Sequence, residues 1–281
     1  MKIGCHVSIA GSIDNSVDRA AKIGCNIFQI FTRSPRMWKA KKITDTEVEL
    51  FKAKLKNTGI WPVFSHMPYL PNLSSSDSEI YEKSINTLRV ELERCNLLDI
   101  PYVVTHLGSH LGEGIEKGKC QVAKAIETAV NGLSNYPMIL LENTSGKSND
   151  VGSTFKEIGE IIDKLSSYNI GVCFDTCHAY VRGYDITTKH GLLETIDEIE
   201  TNIGLKLIKL VHLNDTKGDL GSRLDRHQHI GLGNIGEKGF INFLNSPFQD
   251  KPLILETPID EIRNDKDNLD KAIELVSHVS Q

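Results

Sequence analysis

Nine residues of the types that bind metals or move protons stand at, or just after, the ends of short apolar runs. His66 closes FSH, His106 closes VVTH and Glu142 closes ILLE. Asp175 ends VCFD with His178 three residues on, His212 ends LVH, and Glu256 ends LILE. Asp225 and His227 follow in the long segment after His212, as RLDRHQH. Singly, a histidine so placed is more often a hydrogen-bonded core or surface residue than a ligand. A lone carboxylate there is more often a helix cap or an ion-pair partner. Gathered on one rim, five imidazoles and four carboxylates would repel one another and carry a heavy desolvation cost unless cations were present.

Nine candidates exceed the three or four protein ligands of one catalytic zinc, so two or three ions fit better. The imidazole share favours Zn2+, with Mn2+ or Fe2+ as alternatives, over Mg2+ or Ca2+. Divalent ions about 3.5–4 Å apart are a recurring device for cutting phosphodiesters, because they activate water and stabilise the leaving alkoxide. Composition and spacing thus point to a polymetal hydrolase and leave its substrate open. Among the other histidines, His6, His110 and His229 are expected to be supporting or structural. His190 and His278, in helix-patterned segments, are expected at the surface.

The elements that must position these groups recur along the chain. Eight short apolar runs (2–8, 26–31, 61–66, 102–106, 138–142, 171–175, 207–213 and 252–256) read as strands buried on both faces. Between them lie amphipathic stretches such as 44–57, 79–95, 117–133, 154–165, 191–202 and 266–279. Thr44-x-x-Glu47 and Thr154-x-x-Glu157 resemble capping boxes. Strands alternating with helices imply right-handed βαβ units, and eight of them favour a single (β/α)8 TIM barrel over an open sheet. In such barrels chemistry sits where strands end, which is where the nine residues stand.

Of 281 residues, 40% are apolar and 6% aromatic, which excludes a disordered chain, and no apolar run nears the roughly 18 residues of a membrane helix. No linker divides the sequence, so residues 1–281 are expected to form one domain. Six scattered cysteines without a C-x-x-C pair suit reduced, mostly buried thiols. With no charged leader after Met1, they predict an intracellular, cytoplasmic protein.

The motifs GCHVS, LLENTSG, FDTCHAY, VHLND and RLDRHQHIGLGNIG, in this order from residue 2 to about 279, closely resemble the endonuclease IV family of DNA repair enzymes. The resemblance implies a xylose-isomerase-like TIM barrel holding three zinc ions. The implied activity is hydrolysis of the phosphodiester on the 5′ side of an abasic site in double-stranded DNA, as a step of base excision repair. It leaves a 3′-hydroxyl and a 5′-deoxyribose phosphate, and blocked 3′ ends are trimmed as well. Carried over by position, His66, His106 and Glu142 hold one zinc. Glu142 bridges to a second, completed by Asp175, His212 and Glu256, while His178, Asp225 and His227 hold the third. Glu256, alongside the bridging Glu142, is expected to serve catalysis by orienting or deprotonating the attacking water. The family also suggests a monomer.

Two segments bear on DNA. FTRSPRMWKAKK supplies Arg33, Arg36, Trp38, Lys39, Lys41 and Lys42, an aromatic–basic mixture suited to nucleic acid. The resemblance implies that Arg36, with Tyr69 and Leu70 of HMPYL, wedges into the base stack and turns the abasic sugar out. The formal net charge of −5 argues at first against a polyanionic partner. Three bound dications would bring it to +1, because four of the counted carboxylates are the proposed ligands.

Overall fold

The computed structural model describes residues 1–277. The apolar runs become eight parallel strands: β1 (Ile3–Cys5), β2 (Phe28–Ile30), β3 (Val63–His66), β4 (Tyr102–Thr105), β5 (Met138–Glu142), β6 (Ile170–Asp175), β7 (Ile208–His212) and β10 (Leu253–Leu255). Nearly every strand residue is buried, which is why these segments read as continuous apolar runs and not as an alternation. Strands follow one another around the sheet in chain order, and β10 pairs with both β7 and β1. A parallel bridge between His6 and Gln29 joins β1 to β2, with the Val7 N–H donating to the Gln29 carbonyl at 2.8 Å. Gly4 permits this approach, since a Cβ there would lie 1.7 Å from the Ile27 carbonyl oxygen. The architecture is the (β/α)8 barrel expected from the sequence.

Helices α1 (Asn15–Ile23), α2 (Asp45–Thr58), α3 (Ser78–Leu97), α4 (Ile115–Val130), α5 (Phe155–Lys164), α6 (Thr176–Arg182), α7 (Lys189–Asn202), α8 (Gly236–Leu244) and α9 (Asp265–Ser277) connect the strands. The end of the stretch expected to reach residue 279 lies outside the described residues, as does His278. Thr44 and Glu47 form a full capping box on α2. At α5 only half of the box forms. Thr154 accepts from the Glu157 N–H, but the Glu157 carboxylate turns to the N–H groups of Gly152 and Ser153, both at 2.9 Å. That carboxylate fastens the loop before the helix.

Two apolar cores follow from strand geometry. One lies between the helices and the outer faces of the strands. The other consists of Ile27, Phe64, Val104, Leu140, Cys173, Leu210 and Ile254, which fill the barrel interior. Side chains alternate along a strand, so the residue two positions on faces the same way. Two positions after six of these plugs stand His66, His106, Glu142, Asp175, His212 and Glu256. After Ile27 stands Gln29. The packed interior thus forms a floor, and the polar groups gather directly above it at the strands' C-terminal ends.

Candidate metal centre

Among the described residues, four groupings of ligand-type atoms each span no more than 4.8 Å: His66–His106–Glu142, Glu142–Asp175–His212–Glu256, His178–Asp225–His227, and one in which Cys177 joins Asp175 and His227. All nine residues singled out in the sequence come together, and Glu142 belongs to two groupings. Cys177 is a buried thiol the sequence did not flag. Glu142 Oε2 is 3.0 Å from His66 Nε2 and 3.1 Å from His106 Nε2, while its Oε1 is 3.1 Å from His212 Nδ1. Asp225 Oδ1 lies 3.3 Å from His178 Nε2.

Four of the five imidazoles are aimed by a hydrogen bond on the nitrogen facing away from the centre. His66 Nδ1 donates to the Met67 carbonyl at 2.6 Å, His178 Nδ1 to that of Asn143 at 2.9 Å, and His227 Nδ1 to that of Glu256 at 2.9 Å. His212 Nε2 meets the side-chain oxygen of Gln29 at 2.9 Å. Each bond turns the opposite nitrogen toward the carboxylates, where its lone pair would meet a bound cation, the arrangement of a metal-ligating histidine. His227 Nε2 is buried without any hydrogen-bond partner, an orphan that a cation would satisfy. The donors therefore fit divalent ions in number, type and orientation.

Carboxylates are aimed too. Asp175 Oδ1 caps α6 by accepting the His178 N–H at 2.7 Å, so one residue both offers a ligand oxygen and positions a ligand histidine. Asn214 donates to Asp175 Oδ2 at 2.7 Å, and its own oxygen accepts the Glu256 N–H at 2.8 Å. Burial opposes charge on Glu142 and Glu256. Facing imidazoles outweigh it, His106 and His212 for Glu142, and His212 and His6 for Glu256, and hold both carboxyls well below the usual range. Asp225 is held low in the same way, against burial, by His178. Burial likewise opposes protonation of His178 and His227. Asp175 and Asp225 win for His178, and for His227 the neighbouring Cys177 thiol, followed by Asp175, pushes the imidazole up to about 10. The acids thus favour positive charge at the centre, raising His106 and His212 as well as His178 and His227.

The loop carrying Asp225 and His227 hangs from one buried carboxylate. A short antiparallel ladder pairs β8 (Asp215–Thr216) with β9 (His227–Gln228). Asp215 accepts backbone N–H bonds from Thr216 (2.8 Å), Gly231 (2.9 Å), Gly233 (3.0 Å), Ile235 (3.1 Å) and Gly236 (3.5 Å). This anchor stands in VHLND, and nothing in its type or spacing separates it from a solvated aspartate.

Around the centre, Tyr69 is 67% exposed and Leu70 37%, so two large apolar side chains project from the rim. The Tyr69 N–H donates to the Pro35 carbonyl at 3.1 Å, tying its loop to the basic loop that presents exposed Arg36. Trp38 is half-buried, with the Lys83 ammonium 5.9 Å from its ring centroid. Arg33 corrects one expectation. It is buried in an ion pair with buried Glu91, so it braces the basic loop and is not free to meet DNA. Exposed Lys147 was missed. It lines a cleft of about 330 Å3 with Tyr69, Leu70, His106 and Asp225, and its ammonium is 3.6 Å from Asp225 Oδ2.

The remaining histidines divide as expected where they are described. His6 lies 3.0 Å from Gln29 Nε2 and 3.7 Å from Glu256 Oε1. His110 accepts N–H bonds from Gly112 and Gly114. His229 is buried against Asp260 and Asn268, and His190 is exposed beside Glu194. Among the described residues, no helix is long and apolar enough to cross a membrane.

Residues 17–278 match the family profile described as a xylose isomerase-like TIM barrel. A protein of Methanoculleus marisnigri named probable endonuclease 4 is 51% identical over 276 residues, 97% of this chain and 98% of that protein. The crystal structure of endonuclease IV from Thermus thermophilus superposes with a TM-score of 0.87 at 37% identity, covering 99% of this chain and 100% of that one. A D-tagatose 3-epimerase-like protein shares the fold at a TM-score of 0.73 and 22% identity, each chain covered in full.

Proposed function

The chain belongs to the endonuclease IV family, and on that premise we propose that it is a zinc-dependent abasic-site endonuclease of base excision repair. It hydrolyses the phosphodiester on the 5′ side of an abasic site in double-stranded DNA, leaving a 3′-hydroxyl and a 5′-deoxyribose phosphate, and it trims blocked 3′ ends. It works as a monomeric, single-domain barrel over residues 1–281, in the cytoplasm. The observation that carries the reading is the convergence of nine ligand-type residues in three groupings, with the histidines already aimed by outer hydrogen bonds.

In this reading His66, His106 and Glu142 hold one zinc, and Asp175, His212 and Glu256, with Glu142 shared, a second. His178, Asp225 and His227 hold a third, with Mn2+ or Fe2+ able to replace zinc at one position. Bound there, the cations would supply Lewis acidity for the water, the phosphate and the leaving oxygen. The chain's own groups do the rest. Tyr69 and Leu70, with Arg36, enter the duplex and hold the abasic sugar out of the stack, while Trp38 meets the DNA from the basic loop. Glu256, partly exposed at the rim, orients the attacking water and takes its proton. The water oxygen bonds to phosphorus, the bond from phosphorus to the upstream 3′ oxygen breaks, and that oxygen leaves as the 3′-hydroxyl after gaining a proton.

A duplex carrying one tetrahydrofuran abasic analogue tests the reading. The protein with zinc should cut it once, on the 5′ side, and give an extendable 3′-hydroxyl. The analogue has no aldehyde and cannot undergo β-elimination, so the cut must be hydrolytic. No incision with zinc or manganese would refute the function.

A further inference from the structure

Most barrel strands bring a carboxylate or an imidazole to the rim, but β2 brings an amide. Gln29 follows the barrel plug Ile27 by two positions, faces the same interior and is wholly buried. Its Nε2 donates to Glu256 Oε1 at 2.7 Å and lies 3.0 Å from His6 Nδ1, while its Oε1 is 2.9 Å from His212 Nε2. The direction of the amide is dictated by chemistry. An ionised carboxylate only accepts, so the NH2 must face Glu256, and this turns the carbonyl toward His212. A carbonyl also only accepts, so His212 Nε2 must carry a hydrogen. What remains is His212 Nδ1, which faces Glu142 Oε1 at 3.1 Å, Glu256 Oε2 at 3.4 Å and Asp175 Oδ2 at 3.8 Å.

We propose that Gln29 is a positioning residue: one buried amide fixes His212 as a ligand through Nδ1 and at the same time aims Glu256. Zinc retention at the Glu142–Asp175–His212–Glu256 group then depends on a neutral side chain that binds no metal itself. Only a group that donates on one side and accepts on the other can serve both neighbours. Apolar residues of similar size fill the space but leave His212 free to turn and Glu256 without its donor. The inference rests on the metal-binding reading given above.

The test uses Gln29→Ala and Gln29→Met in the zinc-loaded full chain. Methionine keeps the volume and removes both hydrogen bonds, and it carries the test should the alanine variant fail to fold. Zinc release to excess chelator is followed with a chromophoric indicator, and long-range 15N–1H NMR reports which ring nitrogen of His212 is protonated. The wild type should show a hydrogen on Nε2, and both variants should release one zinc equivalent about tenfold faster or more. Release from both variants at the wild-type rate would overturn the proposal, as would wild-type release from Gln29→Met alone, which would mean that Gln29 only fills space. A wild-type protein that takes up no zinc would instead refute the metal reading itself.

Discussion

Glu142 and His212, contributed by β5 and β7, meet at 3.1 Å with neither side chain exposed to solvent. A wholly buried contact of this kind is weak support for stability, because desolvation offsets most of the attraction. Here the same carboxylate also touches His66 and His106, and His212 also faces Glu256. Glu142 is the hinge between two groupings, and its surroundings make sense as a site built to be completed by cations.

Glu256→Gln separates chemistry from binding. The amide cannot take a proton from water, so incision should fall by about 10^2–10^4-fold, the usual contribution of a general base. Binding of the tetrahydrofuran duplex, read by fluorescence anisotropy, should persist. Near-normal turnover would remove Glu256 from the catalytic role.

Tyr69→Ala and Leu70→Ala address the rim. Neither residue is among the nine groups that face one another at the centre, so metal content should stay at the wild-type level. Duplex incision should fall at least about tenfold for each, because inserted side chains offset a few kcal/mol of unstacking. Unchanged duplex kinetics would end the wedge assignment.

Lys147 lines the cleft shared by Tyr69, Leu70 and Asp225, an exposed cation beside the proposed metal centre that suits a phosphate contact. Lys147→Ala should weaken abasic-duplex binding. The slope of log affinity against log salt should shrink by about 0.9, the loss of one phosphate contact. A titration of binding against potassium chloride measures it, and an unaltered slope would show that Lys147 serves only Asp225.

Asp215→Ala would strip five backbone N–H groups of their shared acceptor. A cost of about 3 kcal/mol is expected, since each buried donor left unpaired costs about 1–3 kcal/mol and relaxation recovers part. That corresponds to a fall in Tm of roughly 5 °C for a chain of this size. Because the anchored loop carries Asp225 and His227, one metal equivalent should be lost in parallel. A variant that keeps both Tm and full metal content would contradict the anchoring role.

The barrel and its nine rim residues were legible because one rule ties most of them together. A strand buried on both faces reads as an apolar run, and the polar residue two positions past an interior plug must face the rim. The supports were not legible. Gln29, Asn143 and Asn214 act through amides that match any polar residue in type, and their partners lie 23 or more positions away in sequence. Arg33 misled for the same reason. It sits in a basic loop, and only its pairing with Glu91, 58 residues on, shows that it is internal. Lys147, in a loop of small polar residues, reads as a solvated charge until the fold brings Asp225 beside it.

Elemental analysis of the purified protein tests the central claim most directly. Nine converging ligands in three groupings predict close to three equivalents of zinc, or of zinc with manganese or iron, per chain. Fewer than one equivalent after reconstitution with zinc would contradict the account.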